Sequence, residues 1–321
     1  MRLLEIAGKA CSSFPKLENA VVWLGHHRPT SRLTESLCYH VGEQAFLREP
    51  NAEKIAVLQT GARLQVTLSE HMFRHLYFYG VHEQEVTALV VHLAGAGQTW
   101  LDVGGNIGYF SVLLSSLVGP SGRVHVFEPN STVADYIQRS VSLNKAENIY
   151  LNQAAVSSAS GDEITLYVPV DANATDGGSG RSSLIPQSDI VQTREVRVPV
   201  VALDDYIEQK QIAVDFMKID VEGFEIQAFK GMSKTLTAHP PKVIICEVSH
   251  RPGCLASPKE LISFVTQFGY QPYSIRREGL YPHLQGSLLH PDLDANVAFV
   301  HPGALPMVEA LIINQEKPTG A

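Results

Sequence analysis

From Thr99 onward the apolar residues alternate between short continuous runs and longer stretches at helical spacing. Runs such as Thr99–Val103 and Val124–Phe127 predict strands covered on both faces. Ile107, Phe110, Leu114 and Leu117 repeat at helical intervals after the first, and Val133, Ile137 and Val141 mark the inner face of a helix after the second. Strand and helix in turn predict an α/β, Rossmann-like architecture, a mostly parallel sheet with helices on both faces. After Val156 the rhythm breaks into two β-like runs, Glu163–Val168 and Glu195–Val201. The polar stretch DANATDGGSGRSS at 171–183 separates them and reads as a lid or as a plain surface loop. The core pattern resumes with strand Phe216–Val221, helix Phe224–Leu236, strand Val243–Val248, helix Pro258–Phe268 and strands near Tyr270–Ile275 and Asn296–Val300.

Upstream, a hairpin over Ile55–Leu58 and Leu64–Leu68 turning at Thr60 and Gly61 precedes helices over Ser69–Tyr79 and Val81–Leu93. Residues 1 to 55 lack strong periodicity, and Pro15, Pro29 and Pro50 break any long helix there. The expected organisation is an N-terminal cap region at 1–80, a main domain at 81–305 with an insertion at 160–200, and a tail at 306–321.

The stretch Thr99–Ser116, TWLDVGGNIGYFSVLLSS, sets an acid at a strand end, then a glycine turn, then an amphipathic helix. Gly104, Gly105 and Gly108 allow a tight turn and close approach to a ligand, and Asn106 is a residue type that tolerates left-handed backbone. These glycines fit no GxGxxG register, and Asp102, two residues before the first, repels a pyrophosphate. A carboxylate there suits a ligand with a cationic amino-acid end, such as S-adenosyl-L-methionine with its ammonium and sulfonium. Glu128 closes the next strand, where a carboxylate can accept both ribose hydroxyls. Taken singly, each acid also reads as a cap or turn former. An acid at each of two successive strand ends points to a bound cofactor.

YFYGVHEQE ahead of the first strand, LDVGGNIGYFS, VGPSGRVHVFEPN, QAAVSSASGDEITLYV, and VPVVALDDYI followed by DFMKIDVEGFEIQAFKGM carry a family likeness. Over about Tyr77 to Tyr273 the chain resembles the FkbM-type S-adenosylmethionine-dependent methyltransferases. The resemblance implies a class I methyltransferase fold, with Asp102 to Gly108 around the methionine part of the cofactor and Glu128 on its ribose. Where many class I enzymes carry an acid for the adenine amino group, this chain reads Gln153, Ala154, Ala155. Gln153 or a backbone carbonyl is the candidate for that contact.

Chemistry in such a sheet belongs beyond the carboxyl ends of the strands. Lys218 and Asp220 share one face of their strand, about 6.6 Å apart at ordinary rise, close enough to pair and so to weaken Asp220 as a base. Glu222, in the loop, reads as the freer carboxylate, and Glu247 ends the next strand with His250 after it. Asp220, Glu222 and Glu247 are the catalytic candidates, while His250 is as readily a solvated strand-end group. Tyr79 and Gly80 are minor candidates for the pocket wall, and Phe73, Tyr77 and Phe78 read as packing. His71 and His75 share a helical face, but Met72 stands where a zinc-protease motif needs Glu. No metal is assigned, and none shared by Asp220, Glu222 and Glu247 is favoured.

Of 321 residues 45% are hydrophobic and 18% charged, enough apolar material for a sizeable core. A net charge of −8 argues against broad nucleic-acid or anionic-membrane binding. Cys11, Cys38, Cys246 and Cys254 lack metal-ligand spacing and suit a reducing, cytoplasmic setting, in which the Asn173–Thr175 sequon is silent. No apolar stretch is long enough to span a bilayer. The expected function is an O-methyltransferase using S-adenosyl-L-methionine on a hydroxyl of a small molecule or glycan, of sugar or polyketide type. The alternatives are a nicotinamide-dependent oxidoreductase on a similar sheet and a cofactor-binding protein without turnover. A homo-oligomer stays open.

Overall fold

The computed structural model describes residues 15–27, 32–49, 52–69, 71–170, 182–186, 192–251, 253–283 and 295–313. Where the sequence shows no periodicity, two helices form, α1 (Pro15–His27) and α2 (Arg32–Arg48). Pro15 opens α1, because its fixed φ and missing N–H suit a first helical turn. The pattern hides the first of them because a carboxylate sits in its buried face. Glu18 is 2% exposed and takes Lys54 Nζ at 2.7 Å, Tyr77 OH at 3.1 Å and Arg48 Nη2 at 3.3 Å. The hairpin follows as expected, β1 (Glu53–Val57) pairing antiparallel with β2 (Arg63–Thr67), and Gly61 N donates to Leu58 O at the turn. Next come α3 (His71–Tyr79) and α4 (Gln84–Leu93). The second helix starts three residues later than its apolar spacing suggests, because Glu83 takes left-handed backbone (φ 44°).

The alternating part contains β3 (Thr99–Val103), α5 (Tyr109–Val118), β4 (Arg123–Phe127), α6 (Ser131–Asn144) and β5 (Ile149–Asn152). Asn130 caps α6 by accepting from Thr132 N at 3.1 Å. A small sheet then interrupts, with β6 (Ala155–Val156), β7 (Gly161–Pro169) and β8 (Thr193–Val201) in the order β6-β8-β7. Residues 171–181 of the polar stretch, with the sequon, lie outside the described residues. The chain returns through α7 (Leu203–Lys210), β9 (Phe216–Ile219), α8 (Glu225–Lys230), α9 (Ser233–Ala238) and β10 (Val243–Val248). It continues with α10 (Pro258–Thr266), β11 (Gln271–Arg276), β12 (Gly279–Pro282), β13 (Ala295–Val300) and α11 (Leu305–Val308).

The single helix expected over Phe224–Leu236 is two short ones, α8 and α9. The break falls at Gly231, where any side chain would collide with the Ser157 carbonyl entering from the small sheet. Its own carbonyl accepts Asp204 N at 2.8 Å. Tertiary approach, not propensity, ends the helix there.

Eight strands make the main sheet in the order β12-β11-β13-β10-β9-β3-β4-β5. It is parallel from β10 to β5, while β13 runs antiparallel between β10 and β11. Successive residues feed opposite faces: Trp100, Val124, Phe216 and Val243 join one apolar cluster, Leu101, Phe127, Met217 and Ile244 the other. Trp100 stacks on Phe216 with ring centroids 4.7 Å apart, worth about 0.5–1.5 kcal/mol beyond the area buried. The order runs outward from β3 in both directions, so a crevice opens at the carboxyl ends of β3 and β9. Among the described residues no helix is long and apolar enough to cross a membrane.

Candidate functional site

A cleft lies in that crevice. Its floor is the turn between β3 and α5. Gly104 (φ 86°) and Asn106 (φ 48°) are left-handed, and a side chain at position 104 would strike the Asp220 carbonyl at the end of β9. Every backbone N–H of the turn has a protein acceptor. Gly104 and Gly105 both donate to Phe127 O, at 2.9 and 3.0 Å. Asn106 N donates to Glu128 Oε2 at 2.9 Å, Ile107 N to Asn106 Oδ1 at 2.8 Å and Gly108 N to Gly105 O at 2.8 Å. None of the five is left to cradle a phosphate.

Asp102 lies beneath this turn and is not itself part of the cleft wall. Its Oδ2 accepts Ser111 Oγ at 2.5 Å, fixing α5 to the strand end, and its Oδ1 has no hydrogen-bond partner among the described residues. Burial raises its carboxyl above the usual range, against the pull of Lys218 and Ser111. Glu128 does face the cleft, with Oε2 on Asn106 N and Oε1 on Asn130 N, each at 2.9 Å. Those N–H groups hold the carboxylate in place and leave each oxygen a second lone pair. Burial pushes it up to about 7 in spite of them.

Lys218 and Asp220 pair as the strand spacing predicts, Nζ to Oδ2 at 2.9 Å, with the ammonium buried and lying 4.8 Å from the centre of the Phe110 ring. Burial alone would lower Lys218, yet Asp220, Glu83 and Asp102 together hold it above its ordinary value. Asp220 N donates to Val103 O, which locks the carboxyl ends of β9 and β3 together. Glu222 is not the freer carboxylate. Its Oε2 takes Arg251 Nη1 at 2.5 Å, and Nη2 of the same arginine reaches Glu247 Oε1 at 3.1 Å. The turn carrying Glu222 (φ 53°) is clamped from below by Glu225, whose Oε1 accepts Val221 N and Gly223 N, both at 3.1 Å. Glu222 lines the cleft, whereas Glu247 and His250 do not. Burial, reinforced by Asp220 and Glu222, pushes Glu247 upward against Arg251.

Two wall residues escape the sequence reading, His82 and Glu83. Their only signal is membership of YFYGVHEQE, where the acids look like the first turn of a helix. The wall takes them and not the neighbouring Tyr79 and Gly80; Tyr79 lies against His75, ring centroids 4.4 Å apart. His71's side chain is outside the described set. Met72 of α3 and Leu166, Ser182 and Leu184 of the insertion complete the enclosure. Gln153 is exposed and outside the wall, where Ala154 and Ala155 take part instead. Ser182 Oγ accepts Asn130 Nδ2 at 2.9 Å, tying the insertion to the Glu128 end. No group of three metal-binding side chains occurs among the described residues, and Cys38, Cys246 and Cys254 take part in no disulfide there.

Four carboxylates, Glu83, Glu128, Asp220 and Glu222, thus face a cleft whose one lysine is already paired. Those acceptors fit a sulfonium nucleoside with an ammonium and ribose hydroxyls, and the glycine turn leaves a pyrophosphate no N–H. A family model described as the methyltransferase FkbM domain matches residues 102–272, from the acid at the end of β3 into β11. The chain belongs to the FkbM methyltransferase family. Its mostly parallel sheet with helices on both faces is an α/β fold. The hexuronic acid methyltransferase AglP of Haloferax volcanii is 30% identical over 179 residues, 54% of this chain and 66% of that protein. Methyltransferase 1 of Beauveria bassiana is 24% identical over 41% of this chain and 57% of its own length. The chain therefore spans less than two thirds of either relative. Among solved structures, a precorrin-6y C5,15-methyltransferase from Geobacter metallireducens aligns over 69% of this chain and 90% of its own, with TM-score 0.40 and 16% identity.

Proposed function

We propose that this FkbM-family protein is an S-adenosyl-L-methionine-dependent O-methyltransferase whose acceptor is a hydroxyl of a sugar or of a polyketide-type alcohol. The observation that carries the reading is the glycine turn with all five N–H groups consumed, set among carboxylates. It favours a cationic nucleoside and disfavours the nicotinamide dinucleotide of the rival reading, which needs those groups for its phosphates. The hexuronic acid named for the Haloferax relative supports a sugar acceptor.

Glu128 would hold the ribose hydroxyls, and the turn from Gly104 to Gly108 would shape the methionine end. Bound there, the cofactor supplies an electrophilic methyl group. The chain's own task is to hold the acceptor oxygen in line with it, worth about 7–11 kcal/mol, and to receive the hydroxyl proton, worth about 3–5 kcal/mol. Asp220 is the carboxylate placed for the second task. Lys218 fixes its orientation, and the proton moves to Asp220 as the new O–C bond forms and passes on to solvent. Arg251 holds Glu222 and, through it, the rim of the cleft.

Incubation with methyl-labelled S-adenosyl-L-methionine and a panel of uronic acids, neutral sugars and polyketide alcohols, read by mass spectrometry, tests the reading. The expected product is a methyl ether, with S-adenosylhomocysteine but not NADH raising the melting temperature. Stabilisation by NADH alone refutes it. A second expectation concerns pH. Ribose hydroxyls donate to an ionised Glu128, which burial holds up to about 7. Affinity for S-adenosylhomocysteine should therefore rise as pH climbs from 6 to 8 and flatten above, a slope that Glu128→Gln removes. Calorimetric titration across that range checks the sign.

A further inference from the structure

We propose that Glu83 grips the α-ammonium of the cofactor's amino-acid end, a role that rests on the cofactor reading above. Glu83 has left-handed backbone (φ 44°, ψ 68°) immediately before α4. Such a conformation is uncommon and strained for a side-chain-bearing residue. The neighbouring segment is braced to keep it there. Thr87 Oγ1 donates to His82 O at 2.6 Å and meets Tyr109 OH at 3.0 Å, which ties the residues before α4 to α5. A strained backbone held by its surroundings and lining a cleft is a functional placement.

The carboxylate itself calls for a donor. Oε2 is shielded from solvent and has no hydrogen-bond partner among the described residues, while Oε1 lies 3.5 Å from His82 Nε2. Burial and Lys218 hold that imidazole down to about 4, so it is neutral and offers no charge. Glu83 lines the same cleft as Lys218, Asp220 and Glu222, and burial raises its carboxyl above the usual range against the pull of Lys218. Glu128, at the end of β4, lines the cleft too, held by Asn106 N and Asn130 N. Both carboxylates line the cleft from different elements, Glu83 ahead of α4 and Glu128 after β4, and so offer two acceptors to a ligand with two polar ends.

Charge decides which donor Glu83 takes. Lys218 is bound to Asp220, so a hydroxyl on Glu83 would leave the surrounding negative charge uncompensated, whereas an ammonium offsets it and brings three N–H donors.

Calorimetry at pH 7.5 with two probes tests the assignment: S-adenosylhomocysteine, and 5′-methylthioadenosine, which has the same nucleoside and sulfur but no amino-acid end. Glu83→Gln should weaken S-adenosylhomocysteine by about 10- to 100-fold, the loss of one charge-assisted contact. It should leave 5′-methylthioadenosine within about twofold of wild type. Unchanged affinity for S-adenosylhomocysteine, or equal loss for both probes, overturns the proposal. Wild-type protein that binds neither probe overturns the cofactor reading and the role of Glu83 with it. If Glu83→Gln melts early, Glu83→Asn, a residue type at ease in left-handed backbone, carries the same comparison.

Discussion

Gly104→Ala is expected to abolish binding of S-adenosylhomocysteine and to lower the melting temperature by about 6–12 °C. Position 104 combines a φ of 86° with the carbonyl of Asp220 pressed against the face where a Cβ would stand. Left-handed backbone costs a non-glycine residue about 1–2 kcal/mol, and relieving the overlap must separate the ends of β3 and β9. That separation lengthens the bond from Asp220 N to Val103 O and displaces Gly104 N and Gly105 N from Phe127 O. A total of roughly 3 kcal/mol is the order expected for strain of this kind. Gly61→Ala is the matched control, since φ is 82° there and nothing lies within 4 Å of the added carbon. It should cost only the backbone contribution and leave binding intact. Differential scanning fluorimetry with calorimetry on both variants checks the contrast, and near-wild-type affinity in Gly104→Ala would falsify the account of the turn.

Asp220→Asn should reduce methyl transfer by about 10²- to 10⁴-fold while keeping S-adenosylhomocysteine affinity within about threefold of wild type. The amide matches the carboxylate in size and can still accept from Lys218, so the variant keeps the shape of the cleft. Glu83 and Asp102 remain within electrostatic reach of the buried ammonium. What it loses is the ability to take the acceptor proton. Single-turnover rates read beside calorimetry separate the two effects. Parallel loss of rate and affinity would instead assign Asp220 to cofactor binding.

Much of the sheet is legible in the sequence, because strands covered on both faces are predominantly apolar, as β3, β4, β9 and β10 are despite Asp102, Arg123, His125, Lys218 and Glu247. The acid ahead of the glycines and the Lys218–Asp220 spacing are local, so they can be read directly. What escapes is set by distant parts of the chain. The Arg251 tether on Glu222 spans 29 residues. The break at Gly231 depends on the Ser157 carbonyl arriving from another sheet. Helices α1 and α2 bury Glu18 where periodicity looks for an apolar side chain. Glu83 escapes for another reason: nothing in a run of acids before a helix marks one of them as left-handed.

The apolar cluster on one face of the sheet does not stop at β3. Val21, Cys38, Leu64 and Phe73 share it with Trp100, Val124 and Phe216. The stretch matched by the family begins only at Asp102, so a chain cut at that point would bare an oily flank of the sheet to water. The unit that evolution passes on and the unit that can melt as one need not coincide. Here the shared core reaches back to Val21 in the first helix, so a substitution there loosens packing beneath a cleft it never touches.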